Sequence, residues 1–183
     1  MARRPSFGGD WTDEKLERVR KYLKAYVTIF HGNVRARFFR TSYVDAFAGA
    51  GYRVEQDAKM SEPSFAELVE PDATAFCTGS ARVALEVDPP FDRYVFIDRD
   101  RRSTVHLDAL KDEFPDKADR VEVHRAEANE FVRSWCRSVD PQHDRAVMFL
   151  DPYGMQVEWA TIEAIARTRT VDLSRRPTPT RLS

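Results

Sequence analysis

The chain has 183 residues, 42% of them hydrophobic, with a formal net charge of -1 and a sequence pI near 6.4. That length supports one domain with a real core and is short for two, and the near-neutral balance excludes a global basic field of the kind that advertises nucleic-acid binding. No apolar run approaches the roughly 18 residues of a membrane span, the opening Met-Ala-Arg-Arg-Pro-Ser leads into no apolar stretch of a secretory signal, and Cys77, Cys136 and four scattered histidines lack metal-ligand spacing. The expectation is a cytoplasmic protein with reduced thiols, no metal site and no membrane association. The oligomeric state is not readable.

Residues 1–10 read as disordered. A helix is expected from Trp11 to Gly32, capped by Thr12 with Asp13 and Glu14 in its first turn. Its apolar residues Leu16, Val19, Leu23, Tyr26, Val27 and Phe30 recur at helical spacing, and Gly32 ends it. Residues 41–47 read as the first strand. Residues 52–79 form a long insertion with no clear period, in which six acids stand against Arg53 and Lys59; a connection of that length is usually functional, disordered or both. A helix from Gly79-Ser80 to about Val87 ends at Pro89-Pro90. Residues 93–98 read as a second strand, 101–113 as a helix with Val105, Leu107 and Leu110 partly periodic, and 120–124 as a short alternating strand. Residues 127–138 read as a helix burying Phe131, Val132 and Trp135, and 140–144 as a turn. A fourth strand covers 145–150, a helix over 157–167 points Trp159, Ile162 and Ile165 inward, and a fifth strand starts at 170–173. The remaining residues, 174–183, read as a disordered tail.

Strands alternating with helices predict βαβ units and a parallel sheet. The continuous apolar runs Tyr94–Ile97 and Ala146–Leu150 agree, because parallel strands are covered on both faces. Ligands of such sheets bind at the carboxyl ends of the strands, and several of those ends carry chemistry. Asp45 closes the first strand and leads into Phe47-Ala48-Gly49-Ala50-Gly51, where glycines let a ligand approach the backbone. Asp98 closes the second strand, where a carboxylate takes the hydroxyls of a ribose; Asp100 is its close competitor. Glu127, after the third strand, either meets an adenine edge or is a helix first-turn acid. Asp151-Pro152-Tyr153-Gly154 closes the fourth strand: either its proline fixes the backbone so that Asp151 aims at an amine while Tyr153 stacks on a planar base, or it is a strand-ending turn with Tyr153 in the core. His31, Arg35, Arg37 and Arg40 cluster before the first strand, where they could touch phosphates; without interleaved exposed aromatics they read rather as a solvated basic loop.

Taken together, Val44–Gly51, Phe96-Ile97-Asp98 and Phe149–Tyr153 resemble the motif series of class I S-adenosylmethionine-dependent methyltransferases. With Trp11, Glu14-Lys15-Leu16, Arg20–Leu23, Gly79-Ser80 and Thr170–Leu173, the chain resembles the bacterial three-Cys-motif partner protein family over about residues 11–173. The resemblance implies a single Rossmann-like α/β domain of the class I methyltransferase type. Its parallel sheet would have helices on both faces, an N-terminal helix before it, and an incomplete carboxyl-terminal side. It implies S-adenosylmethionine as cofactor, held at Asp45, Gly49, Gly51 and Asp98, with Asp151 and Tyr153 facing the substrate. It also implies a partner carrying a three-cysteine motif. Tyr153 follows a single proline, where methyltransferases acting on base amines usually carry two. Two readings stay open: methyl transfer to an amine of a nucleic-acid base, flipped out if necessary, and a non-catalytic partner-binding module of a two-protein bacterial system.

Overall fold

The computed structural model describes residues 9–48, 79–150 and 157–175. Helix α1 spans Gly9–Gly32 and precedes strand β1, Arg40–Asp45. Residues 79–86 form helix α2, followed by β2 (Arg93–Asp98), α3 (Arg101–Glu113), β3 (Val121–Arg125) and α4 (Ala128–Ser138). The chain continues with β4 (Asp144–Leu150), α5 (Trp159–Thr168) and β5 (Val171–Arg175). All five strands are parallel, in the order β3-β2-β1-β4-β5. The α/β class expected from the alternation of elements, and the Rossmann-like arrangement implied by the resemblance, are therefore what the chain adopts.

The apolar runs explain the sheet's burial. Tyr43, Tyr94, Phe96, Val147 and Phe149 point to one face, where they meet Leu23, Tyr26 and Val27 of α1, Ala84 and Leu85 of α2, and Leu107 and Leu110 of α3. The alternate residues Val44, Val95, Ile97, Met148 and Leu150 point to the other face and pack on Val132 and Trp135 of α4 and Ile165 of α5. Each fully buried side chain of this kind contributes about 1.5–3 kcal/mol. Where α2 starts, it passes close to α1: a Cβ at Gly79 would meet Leu16 Cδ1 at 2.7 Å, so the glycine permits the approach.

Several expectations change. Helix α1 starts at Gly9, which places Thr12 inside the helix and not at its cap, and removes Gly9 and Asp10 from the expected disordered stretch. Strand β1 ends at Asp45, so Ala46 and Phe47 belong to the turn that follows it. Strand β5 runs to Arg175, pairing with β4 over its whole length, and so takes in the first two residues read as tail. Trp159 does not point inward; it is 75% exposed at the first position of α5, where its indole N–H donates to Glu163 at 3.2 Å. Val105 is exposed as well, because the buried stripe of α3 is set by Ser103, Leu107 and Leu110. The acidic insertion at 52–78 lies outside the described residues.

Candidate functional site

Parallel strands end on a common rim, and the sheet order makes β1 and β4 the pair at which the direction of winding reverses. Helices α2 and α3 cover one face, while α4 and α5 cover the other. A crevice opens at such a switch point. Asp45 closes β1 in register with Phe96 of β2 and Phe149 of β4. Asp98 lies two residues beyond Phe96, so by the alternation of a strand both carboxylates project from the same sheet face at the same rim. The structure thus brings Asp45 and Asp98 together on adjacent central strands. Gly49, Gly51, Asp151, Pro152 and Tyr153 lie outside the described residues.

The two carboxylates differ in setting. Asp45 is 1% exposed. Its Oδ2 accepts from Ser80 Oγ of α2 at 3.0 Å and from the Tyr43 hydroxyl at 3.3 Å, and its Oδ1 accepts from the Phe47 amide. It therefore ties the exit of β1 to the start of α2. Asp98 is 8% exposed, and its Oδ1 accepts from the Asp100 amide at 2.6 Å, which orients the carboxylate across the end of β2. Asp100 caps α3, accepting from the Arg102 and Ser103 amides. Of the two candidates at this strand end, Asp100 is committed to the helix. Phe47 turns to the α4–α5 face and packs in its apolar cluster.

Glu127 is the cap of α4. Its carboxylate accepts from the Asn129 amide at 3.1 Å, the Glu130 amide at 2.8 Å and the Asn129 side chain at 3.0 Å. Burial pushes its pKa up, but the hydrogen bonds from Glu130 and Asn129 outweigh it and hold the group below the ordinary glutamate value.

Asn129 is a residue that sequence reasoning missed. It is 5% exposed. Its Oδ1 accepts from the Glu158 amide and from Thr161 Oγ1, both at 2.9 Å, which joins the starts of α4 and α5 at the same rim. Arg133 adds an ion pair to Glu158. The signal was faint: a lone asparagine at the second position of a helix, with its partners about thirty residues away.

Two further features do not join this rim. Cys136 is half-buried and its thiol is pushed up to about 11 by that burial, against the pull of Arg137, which disfavours the thiolate near neutral pH. A groove of about 730 Å³ opens at the opposite, amino-terminal rim, floored by Ser42 and Ala146 and walled by Trp135. Its Arg93–Glu122 and Arg40–Asp144 pairs satisfy each other's charge. Among the described residues no cluster of three metal-ligating side chains occurs, and no described helix is long and apolar enough to cross a membrane.

The rim is suited to hold polar hydrogen-bond donors of a ligand against carboxylates fixed by backbone amides, with helix N-termini on either side. No family model matches the chain, and no curated protein matches it either.

Proposed function

We propose that the chain binds S-adenosylmethionine at the carboxyl rim as a methyltransferase-like protein of the class I type, and that its acceptor is an amine of a nucleic-acid base. The observation that carries this reading is the pair Asp45 and Asp98, on one face and one rim of the central strands, beside the winding reversal of a β3-β2-β1-β4-β5 sheet. The described residues suit the cofactor. Asp98, oriented by the Asp100 amide, is set to accept from two vicinal ribose hydroxyls. Asp45, braced by Ser80, holds the turn that enters the small-residue segment Ala48–Gly51. When bound, this cofactor supplies an electrophilic methyl group on a sulfonium. The task of the chain is alignment and exclusion of water: in this reading Asp151 orients the acceptor amine and Tyr153 stacks on its base. The resemblance to the three-Cys-motif partner family adds a second protein, carrying a three-cysteine motif, as the natural companion.

Titration calorimetry with S-adenosylmethionine tests the proposal. Heat of binding is expected from the folded chain, with affinity lowered at least about tenfold by Asp98→Ala, the scale of one lost charge-assisted interaction. No heat from a sample with an intact melting transition rejects it.

A second reading, a non-catalytic partner-binding module, draws support from Asp45, whose carboxylate is buried and bonded within the protein. Capture of a stable partner together with no methyl transfer and no cofactor heat would favour it.

A further inference from the structure

We infer that the amino-terminal rim of the sheet carries a docking surface for single-stranded nucleic acid, built from the turn between α1 and β1. This surface is separate from the carboxyl-rim site and does not depend on that reading: β1 places Arg40 and Asp45 about 17 Å apart along the strand.

Residues 18–44 hold seven lysines and arginines and no aspartate or glutamate, an asymmetry that the overall charge of -1 conceals. Some of these bases are occupied. Arg18 and Arg20 pair with Glu14 and Glu86, and Arg40 pairs with Asp144. Lys24, Arg35 and Arg37 are exposed and form no ion pair among the described residues. Helix-dipole complementarity does not account for the two arginines, because the last-turn base of α1 is His31 and they follow the helix end.

The turn is ordered locally. The Ala36 and Arg37 amides donate to the Asn33 carbonyl, the Arg35 amide to Asn33 Oδ1, and the Phe39 amide to the Ala36 carbonyl. That backbone splits two successive aromatics. Phe39 turns in, edge-on to Phe30 and under the Arg145 guanidinium at 3.7 Å. Phe38 turns out and is 74% exposed, between Arg37 and Arg40, with Val34 also exposed at 63%. An isolated surface phenylalanine needs no explanation. One held outward by its neighbour's packing, in the same turn as Arg35 and Arg37, has the composition of a single-strand platform: cations for the backbone and a ring on which a base stacks. Of the acids at this rim, Asp144 is paired with Arg40, and Asp140 hydrogen-bonds the His143 ring.

The test is fluorescence anisotropy of the full chain with a labelled oligo-dT of about 20 nucleotides and with a duplex of the same length, across about 50 to 200 mM salt. The double variant Arg35→Glu/Arg37→Glu should weaken single-strand binding at least about tenfold and flatten the log–log salt slope by about 1.4, near 0.7 per lost phosphate contact. Phe38→Ala should weaken the single strand about tenfold while leaving the salt slope and the duplex unchanged. The comparison variant Arg137→Glu/Arg167→Glu makes the same charge change at exposed arginines of α4 and α5, on the opposite sheet face from α1, and should cost less than about threefold. All these side chains are exposed, so the melting transitions should stay in place. No binding at low salt, equal losses in the two double variants, or indifference to Phe38→Ala would overturn the inference; the first would leave an acidic protein surface as the better partner.

Discussion

The two rims of the sheet use charge in opposite ways. At the carboxyl rim Asp45, Asp98, Asp100 and Glu127 each accept at least one backbone amide, so the acids there shape the turns and cap the helices. At the amino rim Arg35 and Arg37 reach out from a turn whose own hydrogen bonds are made by backbone and Asn33. The polarity of a parallel βαβ sheet produces part of this contrast. Every helix after a strand presents its N–H groups to the carboxyl rim, where carboxylates satisfy them, and its carbonyls to the other end. The lesson is that an acid at a strand end is not by itself a ligand group: Asp100 and Glu127 are accounted for by capping their helices.

Four substitutions sharpen or break that contrast. Asp45→Ala should have the largest effect, about 3 kcal/mol, because it removes a buried carboxylate that accepts from the Ser80 hydroxyl and the Phe47 amide; denaturant unfolding reads it, and a loss under about 1 kcal/mol would mean that Asp45 does not brace the turn. Asn129→Leu should cost about 2–3 kcal/mol by orphaning the Glu158 amide and Thr161 hydroxyl, again by denaturant melt. Glu127→Ala should cost about 1 kcal/mol at neutral pH, the usual worth of a cap. Its folded pKa is depressed, so the stabilisation is complete above the unfolded glutamate value of about 4.3 and disappears as pH falls through the lower folded value. Melts of wild type and variant should therefore converge in acid and separate above that range. At the amino rim Arg40→Ala should cost less than about 1 kcal/mol, because its side chain is 67% exposed in the pair with Asp144 and water screens it; a larger loss in thermal melts would show a rim organised by its ion pairs.

Much of the fold was legible in the residues. Strand 93–98 and helix 101–113 fall where the sequence places them, because Tyr94–Ile97 is a continuous apolar run and Pro115 closes the helix; that Asp100 caps the helix showed only in the structure. Tertiary choices were not legible. Trp159 reads as core by size, yet the stripe that α5 buries is set by Thr161, Ile165 and Thr168, and the indole falls outside it. Phe38 and Phe39 are identical in one dimension and opposite in three. The loop expected to be basic without exposed aromatics therefore displays one. Asn129 acts through partners brought near only by the packing of α4 on α5. At the candidate site Asp45 and Asp98 could be found from strand ends alone, but their unequal burial depends on α2, whose Ser80 reaches back thirty-five positions.

Strand β1 also carries a cost in time. One of its neighbours, β2, follows within about fifty positions, but the other does not exist until residues 144–150 have been made, and Arg40 meets its strand partner's carboxylate across a separation of 104. At a translation rate of about 5–20 residues per second, the nascent chain carries β1 with one hydrogen-bonding edge bare for roughly 5–20 s. During that interval the ribosome-bound intermediate is the form most exposed to mispairing, and holdase chaperones would be expected to engage it there.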